Sequence, residues 1–305
     1  MNILITGGAG YKGVILTEKL LKIGHDVTIF DNFMYGYNSI LHLINYDKLS
    51  INKKDIRNIN INDVKCFDII FHLAGISGMP ACASNPHSAE TINVESTNKL
   101  VKLLHKSQYL LNASTTSFYG YSDGICDEQT IIKPLSIYAR TKYEAEKIIQ
   151  SRENSISLRF ATVFGVSPKM RNDLLVNDFT YKAINDRNIV LFAGNTKRTF
   201  IHIKDAIESY LYTLDNFDHM KNNVYNIGSN DLNLSKIEIS NHISKYVDFQ
   251  IIDSTLPDLD QRNFEISFDK INKTGFMVKH NLDYGIKELI KLYKFYIQYM
   301  PYNLI

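Results

Sequence analysis

The chain has 305 residues, of which 45% are hydrophobic and 22% are charged, and its formal net charge is +2. The length suits one large domain or a major domain with a smaller lobe, and the near-neutral charge argues against a nucleic-acid-binding or membrane-attracted surface. No stretch approaches the roughly 18 apolar residues that a membrane span needs. The three cysteines are widely spaced, without a metal-ligand pattern, and no basic, apolar leader opens the chain. We therefore expect a cytoplasmic protein without a metal site.

Short apolar runs alternate with amphipathic segments along the N-terminal half. Asn2–Ile5 and Val27–Phe30 are predicted to be strands, and the segment between them, Val14–Ile23, a helix that ends before Gly24. Further strands are predicted at 49–53, 67–75 (running into a loop), 109–114 and 156–160, and further helices at 88–106 and 137–150. This alternation predicts an α/β fold with a doubly wound, parallel Rossmann sheet, in which ligands bind beyond the C-terminal ends of the strands.

A glycine-rich turn follows the first predicted strand and opens the first predicted helix. It reads Gly8-Ala9-Gly10-Tyr11-Lys12-Gly13, a G-x-G-x-x-G pattern, and glycines also recur every three residues at Gly7, Gly10 and Gly13. Glycines let backbone N–H groups approach a pyrophosphate at a helix N-terminus. Asp31 ends the second strand, where it can accept hydrogen bonds from both ribose hydroxyls and repel a 2′-phosphate, and the next residue, Asn32, is not basic. The pattern predicts NAD rather than NADP; the alternative is a tight turn with Asp31 as a turn former.

Tyr138 and Lys142 lie four residues apart in the predicted helix 137–150, so their side chains share a face. A phenol ordinarily has a pKa of about 10, too high for a base at neutral pH. An ammonium about 4 Å away favours the phenolate by about 4 kcal/mol at an effective dielectric of about 20, but by only about 1 kcal/mol in bulk water. The pair can therefore act as a general base if something large covers it, although the same spacing also arises by chance.

Five motifs in order resemble the extended short-chain dehydrogenases/reductases, the nucleotide-sugar epimerase/dehydratase family. They are the glycine loop, Asp31, Asp55-Ile56-Arg57, His72-Leu73-Ala74-Gly75 and Tyr138-x-x-x-Lys142. The resemblance covers essentially the whole chain and implies a structural role for His72. Lys12 departs from the family, which usually has isoleucine there. The implied NAD contacts are Tyr11 and Lys12 at the pyrophosphate, Asp55 and Ile56 at the adenine, Leu73, Ala74, Gly75 and Asn93 around the nicotinamide ribose, Val163 near the nicotinamide, and the Tyr138–Lys142 pair.

The segment from Ser114 to Gly120 distinguishes activities within the family. The resemblance assigns to Thr115 the hydroxyl that hydrogen-bonds the reacting sugar oxygen. Sugar 4,6-dehydratases carry an Asp-Glu pair immediately afterwards, because removing a proton and expelling a hydroxyl needs ionisable groups. Here the two residues are Thr116 and Ser117, which do not titrate near neutrality. Dehydration is therefore disfavoured, as is decarboxylation that relies on a glutamate there, and Thr116 is expected to contact the substrate.

The C-terminal half is expected to hold the nucleotide sugar. By the resemblance, Asn177 approaches the diphosphate from the head of a helix, and Arg198 and Arg262 bind its oxygens, for which a guanidinium fork is well suited. Asn177 as a helix cap and Arg262 as a surface ion-pair residue are the open alternatives. We predict an NAD-binding Rossmann domain at 1–165, with later returns near 198–228, and a mainly substrate-binding lobe at 166–305.

The leading hypothesis is an NAD-dependent oxidoreductase acting at C4 of a nucleoside-diphosphate sugar, with Tyr138 taking the hydroxyl proton and Thr115 orienting the oxygen. An epimerase and a 4-dehydrogenase both remain open, as do the nucleotide and the sugar. The run 161–179 looks closest to GDP-heptose 4-dehydrogenases, which makes that activity the specific alternative. A 4,6-dehydratase and a non-catalytic NAD-binding protein are the competing hypotheses. Relatives pair through two helices, here 88–106 and 137–150, so a homodimer is expected.

Overall fold

The structure is a computed structural model that describes residues 1–258 and 260–296. Its strands are β1 (Asn2–Thr6), β2 (Asp26–Asp31), β3 (Leu49–Lys53), β4 (Ile69–His72), β5 (Tyr109–Thr115), β6 (Tyr121–Cys126), β7 (Ser155–Phe160), β8 (Thr162–Phe164), β9 (Asn188–Phe192), β10 (Lys197–His202), β11 (Asn223–Ile227), β12 (Asn233–Ser235), β13 (Gln250–Ser254) and β14 (Asn263–Ile266). Its α-helices are α1 (Gly13–Lys22), α2 (Met79–Ser84), α3 (Pro86–Glu90), α4 (Ser96–Leu103), α5 (Ile137–Gln150), α6 (Leu175–Asn185), α7 (Ile203–Asp215), α8 (Phe217–Met220), α9 (Lys236–Ser244), α10 (Asp269–Asn272) and α11 (Leu282–Tyr293).

A seven-stranded sheet forms the centre of the fold, and its strand order is β3-β2-β1-β4-β5-β7-β11. Every neighbouring pair in it is parallel. From β1 the chain first builds outward through β2 and β3, and then crosses to β4 on the other side. The sheet therefore has a topological switch point between β1 and β4, and a crevice opens beyond the C-terminal ends of these strands. The predicted doubly wound Rossmann fold is confirmed.

The apolar patterns place the elements to within a few residues of where they are observed. Gly24 ends the first helix with a φ of +93°, a backbone conformation that glycine adopts without strain. The predicted helix 88–106 is observed in three parts, because a π-helical turn at Thr91–Glu95 separates α3 from α4, and the helix ends at Leu103. A π turn inserts an extra residue per turn, so it changes which side chains face the sheet, and Asn93 lies within it.

The C-terminal half adds small sheets and a hydrophobic core of its own. β8, β10 and β12 form a three-stranded sheet, and β9 pairs with β13. The second core includes Phe164, Val176, Phe200 and Ile286, all fully buried. The domain boundary at 165/166 stays a prediction. In the part of the chain that the structure describes, no helix has both the length and the apolar character to cross a membrane.

Candidate active site

The turn between β1 and α1 is a backbone cradle with no space for a side chain at Gly7 or Gly13. Gly7 has a φ of +73°, and a Cβ atom there would lie 2.7 Å from the Ala74 nitrogen. A Cβ on Gly13 would lie 2.2 Å from the Gly7 carbonyl oxygen. No side chain caps the N-terminus of α1 by a hydrogen bond, and a helix N-terminus without such a cap is suited to an anion. The cradle fits the pyrophosphate of a dinucleotide.

The residues predicted to hold the adenosine lie together beyond β2 and β3. Asp31 accepts hydrogen bonds from the backbone N–H groups of Ala9 (3.1 Å) and Phe33 (2.8 Å), which fixes the carboxylate beside the glycine loop. Asn32 donates to the Asp55 carboxylate over 3.3 Å.

Asp55 caps the 3-10 turn that begins at the buried residue Ile56, and it holds Arg57 in a bidentate ion pair. The hydrogen bond from Arg57 lowers the pKa of Asp55 to about 2. This group stays charged and fixed, so it forms a rigid rim on the Asp31 side of the crevice.

His72 is structural, as the resemblance implied. Its Nδ1 lies 2.8 Å from the Thr6 hydroxyl and its Nε2 lies 2.9 Å from the Thr97 hydroxyl. Burial lowers the pKa of His72 to about 3, so the ring is neutral at physiological pH. The next two backbone N–H groups, of Leu73 and Ala74, donate to the carbonyl and hydroxyl of Thr6. These contacts hold the loop after β4 against the end of β1.

Asn93 joins that loop to the helix that carries the tyrosine and the lysine. Its side chain accepts from the Ile76 N–H (2.8 Å) and donates to the Ile76 carbonyl (3.0 Å) and to the Thr141 hydroxyl (3.1 Å). A Cβ on Gly75 would approach the Asn93 oxygen to 2.9 Å. The buried amide therefore sets the distance between the loop and α5, one residue before Lys142.

Tyr138 and Lys142 lie one turn apart near the start of α5, which begins after the capping residue Ser136. Both side chains are half-buried. Burial lowers the pKa of Lys142 to about 8, although the charge of Glu146 acts to raise it. A partly desolvated ammonium stabilises a neighbouring phenolate far better than a fully hydrated one does. The burial of both side chains therefore provides part of the low-dielectric environment that the pair needs, which the four-residue spacing alone could not show.

Thr115 and Thr116 point in different directions at the end of β5. The Thr115 hydroxyl donates to Ser117 Oγ over 3.0 Å and accepts from the Ser117 N–H over 3.1 Å. Thr116 is only 2% exposed and donates to the Phe160 carbonyl over 3.2 Å. In this structure the Thr116 side chain is buried and its hydroxyl is bound to a backbone carbonyl of β7. The geometry therefore does not support the expected contact between this side chain and the substrate.

Two arginines predicted to bind the diphosphate meet at one carboxylate. Arg198 is buried and lies 3.2 Å from Asp260, and Arg262 holds the same carboxylate through Nε and Nη2 at 2.8 and 2.5 Å. Although burial alone would raise it, the pKa of Asp260 is held well below its usual range by Arg262 and Arg198. Arg262 also donates to Ser117 Oγ over 2.7 Å, which brings it next to Thr115. The two arginines therefore converge on a carboxylate of the protein itself, and their binding of a diphosphate stays a prediction.

The side chains of Asn177 and Tyr11 form hydrogen bonds within the protein. Asn177 is fully buried: it accepts from the Gly165 N–H (3.0 Å) and donates to the Arg171 carbonyl (2.9 Å) and the Tyr11 hydroxyl (3.3 Å). The Tyr11 hydroxyl in turn donates to the Gly165 carbonyl over 2.7 Å. These contacts join the glycine loop to the segment before α6, and the predicted ligand contacts of Tyr11 and Asn177 stay predictions. Asn177 is also no helix cap, since it lies inside α6.

Arg171 is a residue of the site that the sequence did not single out. Its guanidinium forms a bidentate ion pair with Asp173, with both distances at 2.6 Å. A Cβ on Gly78 would lie 3.6 Å from Arg171 Nη2. Despite burial, which lowers it, the pKa of Arg171 is raised by Asp173 and, to a smaller extent, by Tyr138. The cation therefore shares the crevice with the tyrosine. The signal was an arginine and an aspartate two residues apart in a loop that leads into a helix.

A buried ion pair behind Lys142 was also missed. Glu146 is fully buried and lies 2.7 Å from Arg159 of β7. Ser114, immediately before Thr115, donates to the second oxygen of Glu146. The available signal was the position of Glu146, four residues after Lys142 on the same helix face.

Comparisons with known proteins show the family to which the chain belongs. The chain is 31% identical over 247 residues to the uncharacterized UDP-glucose epimerase YtcB of Bacillus subtilis (strain 168), covering 75% of this chain and 77% of that protein. It is 30% identical over 231 residues to protein CapI of Staphylococcus aureus, covering 68% of each.

Among solved structures, the UDP-glucuronic acid 4-epimerase from Bacillus cereus, in complex with UDP-glucuronic acid and NAD, matches with a TM-score of 0.82 at 24% identity, covering 96% of this chain and 99% of that one. MoeE5 in complex with UDP-glucuronic acid and NAD matches with a TM-score of 0.83 at 23% identity and the same coverage. Residues 3–228 match the NAD dependent epimerase/dehydratase family. The chain belongs to this family of NAD-dependent enzymes, which act on nucleotide sugars.

Proposed function

We propose that the protein oxidises C4 of a nucleoside-diphosphate sugar and then returns the hydride, which makes it a 4-epimerase. The observation that carries the proposal is the half-buried Tyr138–Lys142 pair, with the pKa of Lys142 lowered to about 8 by burial, on a helix tied by Asn93 to the loop after β4. The tyrosine and lysine thus lie against the crevice where a dinucleotide fits, with Thr115 at the end of the neighbouring strand.

Each residue has a distinct task. When bound, NAD supplies the hydride acceptor. Tyr138 as phenolate accepts the proton of the C4 hydroxyl, and Lys142 lowers the free energy of that phenolate. Thr115 orients the C4 oxygen; in the present structure its hydroxyl donates to Ser117, so it must turn towards the sugar. Return of the proton from Tyr138 completes the cycle after the sugar has presented its other face.

The diphosphate is assigned to Arg198 and Arg262. Both now hold Asp260, and phosphate oxygens can replace that carboxylate because they match the same guanidinium fork. Displacing Asp260 also shifts Arg262 relative to Ser117, which it contacts at 2.7 Å. Binding of the diphosphate is thereby connected to the residue that hydrogen-bonds Thr115.

The residues after Thr115 argue against dehydration. The Thr116 hydroxyl donates to the Phe160 carbonyl, and the Ser117 hydroxyl accepts from Thr115. Neither can remove a C5 proton or protonate a leaving hydroxyl near neutral pH. A 4-dehydrogenase, including one for GDP-heptose, is the second candidate, since it shares the first half of the reaction and the run 161–179 resembles that branch.

A panel of UDP-, GDP- and dTDP-hexoses, together with a GDP-heptose, tests the proposal. We expect one sugar to give its C4 epimer by NMR, with only transient reduction of the bound cofactor. Accumulation of a 4-keto sugar with stoichiometric reduced cofactor would assign the dehydrogenase instead. Loss of water from the sugar would contradict both candidates.

A further inference from the structure

Lys12 places an amine in an aromatic pocket below the glycine loop. Its Nζ lies 3.6 Å from the centroid of the Phe160 ring and 5.6 Å from that of Tyr210. It also lies 3.4 Å from the Tyr210 hydroxyl. Among the ion pairs of the described residues, 1–258 and 260–296, none involves Lys12. An ammonium without a carboxylate partner in such surroundings is costly, so the charge of this group responds to what binds beside it.

The pocket lies under one half of the dinucleotide crevice. Lys12 directly precedes Gly13, the first residue of α1, and its side chain extends towards Phe160 at the C-terminal end of β7. A dinucleotide crosses a doubly wound sheet at its switch point, with its two nucleosides on opposite sides. Because Asp31 lies on the β2 side, the β5–β7 side is left for the nicotinamide. This placement rests on the proposed function.

We propose that the Lys12 amine lies beside the nicotinamide and that its protonation is linked to the oxidation state of the bound cofactor. The nicotinamide ring is cationic in NAD⁺ and uncharged in NADH. A cationic ring repels the ammonium form of Lys12, and a neutral ring does not. Reduction of the ring by a hydride from the sugar therefore favours uptake of a solvent proton by Lys12. By linkage, protonated Lys12 favours NADH over NAD⁺ by the same factor.

Other polar side chains lie around the same ring in this placement, and their effects must be separated from that of Lys12. In this placement Tyr138 and Lys142 of α5 lie close to the ring. Burial lowers the pKa of Lys12 well below its usual range, and the charge of Lys142 lowers it further. From α7, Tyr210 stays neutral because burial raises the pKa of its hydroxyl. Tyr138, Lys142 and Tyr210 are all present in a variant at position 12. The difference between wild type and such a variant therefore reports Lys12.

The test compares the dissociation constants of NAD⁺ and NADH for wild type and Lys12→Met from about pH 6 to about pH 10. Methionine keeps the unbranched, apolar stem without the amine. The ratio Kd(NAD⁺)/Kd(NADH) is expected to be higher in wild type at low pH, by about tenfold, and to approach that of the variant as the amine loses its proton. Because both ligands carry the same pyrophosphate, the ratio isolates the charge of the ring.

Lys12→Ile, which carries the residue common in the family, is the second variant should methionine disturb folding. It is expected to give the same ratio Kd(NAD⁺)/Kd(NADH) as Lys12→Met at every pH. Equal ratios in wild type and both variants at every pH, with tight binding retained, would overturn the inference and leave the proposed function intact. Failure of the wild type to bind either nucleotide would overturn the proposed function and this inference with it.

Discussion

In the proposed reaction Tyr138 and Lys142 act as a unit, because the phenolate is stabilised by the ammonium and burial destabilises the ammonium. Burial lowers the pKa of Lys142 to about 8, below the value of an exposed lysine. The folded protein therefore loses stability from this charge at low pH and regains it as pH rises from about 8 towards about 10.4, where the unfolded lysine also loses its proton. A buried lysine charge that destabilises the fold is typical of an active site, and it is not expected in a helix with only a structural role.

Lys142→Met removes the cation but keeps the length of the side chain. The Tyr138 phenolate then lacks a neighbouring positive charge, and we expect kcat at neutral pH to fall by at least about 100-fold. The wild-type rate is expected to decline as pH rises through about 8, whereas the residual rate of the variant should keep rising. Lys147→Met, on the exposed side of α5, is the matched control, and a variant profile that overlays wild type would argue against the pairing.

Asp31→Asn tests the preference for NAD. The amide oxygen can still accept from one of the two backbone N–H groups that the carboxylate now holds, so the loop is expected to fold. Without the negative charge, NAD binding should weaken by about tenfold, because one charge-assisted hydrogen bond is lost. NADP binding should strengthen relative to NAD, since repulsion of the 2′-phosphate is gone. Fluorescence titration with both reduced cofactors measures this, and an unchanged NAD/NADP ratio would speak against the assignment of Asp31.

At the scale of elements, the site is held by a polar layer that joins α5 to β5 and β7. Arg159 donates to Glu146 and, over 2.8 Å, to the Tyr119 hydroxyl, which donates in turn to Asn226 of β11. Ser114 adds a bond from β5 to the same carboxylate. The strand that ends in Thr115 and the helix that carries Tyr138 therefore share one buried anchor. This layer of hydrogen bonds and ion pairs within the protein fixes their separation.

Glu146→Leu and Arg159→Met, singly and together, measure that anchor. Each single substitution leaves the other charge buried alone, and we expect it to lower the free energy of unfolding by about 3–5 kcal/mol. The double variant should be destabilised by less than the sum of the two. Urea denaturation of all four proteins gives the coupling energy directly. Additive effects would show that the two residues do not act as a pair.

Glu146→Gln is the milder variant for function, because it keeps the shape and removes the charge that raises the pKa of Lys142. With Lys142 losing its proton at lower pH, the rate of Glu146→Gln should therefore begin to fall at a lower pH than the rate of wild type as pH rises. An unshifted fall in the rate of a folded Glu146→Gln protein would show that the ion pair is only structural.

At the scale of the whole molecule, the sequence predicted the sheet well because its apolar runs and turn glycines are local signals. Gly24 and the strand containing Ile69–His72 are examples, since each follows from its neighbours in the chain. The orientations of Thr116 and Asn177 could not be predicted in the same way. Their hydrogen-bond partners, Phe160 and Gly165, lie on other elements and become neighbours only in the folded chain. The π turn at 91–95 is likewise a product of packing and leaves no local pattern.

Dimer formation is a prediction about the whole molecule. The outward side of α5 carries Arg140, which pairs with Glu90 of α3 and with Glu144, so helices α3 to α5 present one charged and ordered surface. Pairing through these helices should give a species of twice the 35.0 kDa chain mass in sedimentation equilibrium at micromolar concentration. A single species of monomer mass over that range would contradict the expected assembly.

The central claim is that Tyr138 removes the C4 hydroxyl proton as hydride leaves the sugar. Single-turnover measurement of reduced cofactor, with the nucleotide sugar that the wild type accepts, tests it most directly by comparing wild type with Tyr138→Phe. The account predicts that Tyr138→Phe binds NAD and sugar with affinities close to wild type but forms reduced cofactor at least about 1,000-fold more slowly. Formation of reduced cofactor at the wild-type rate in a folded Tyr138→Phe protein would contradict it.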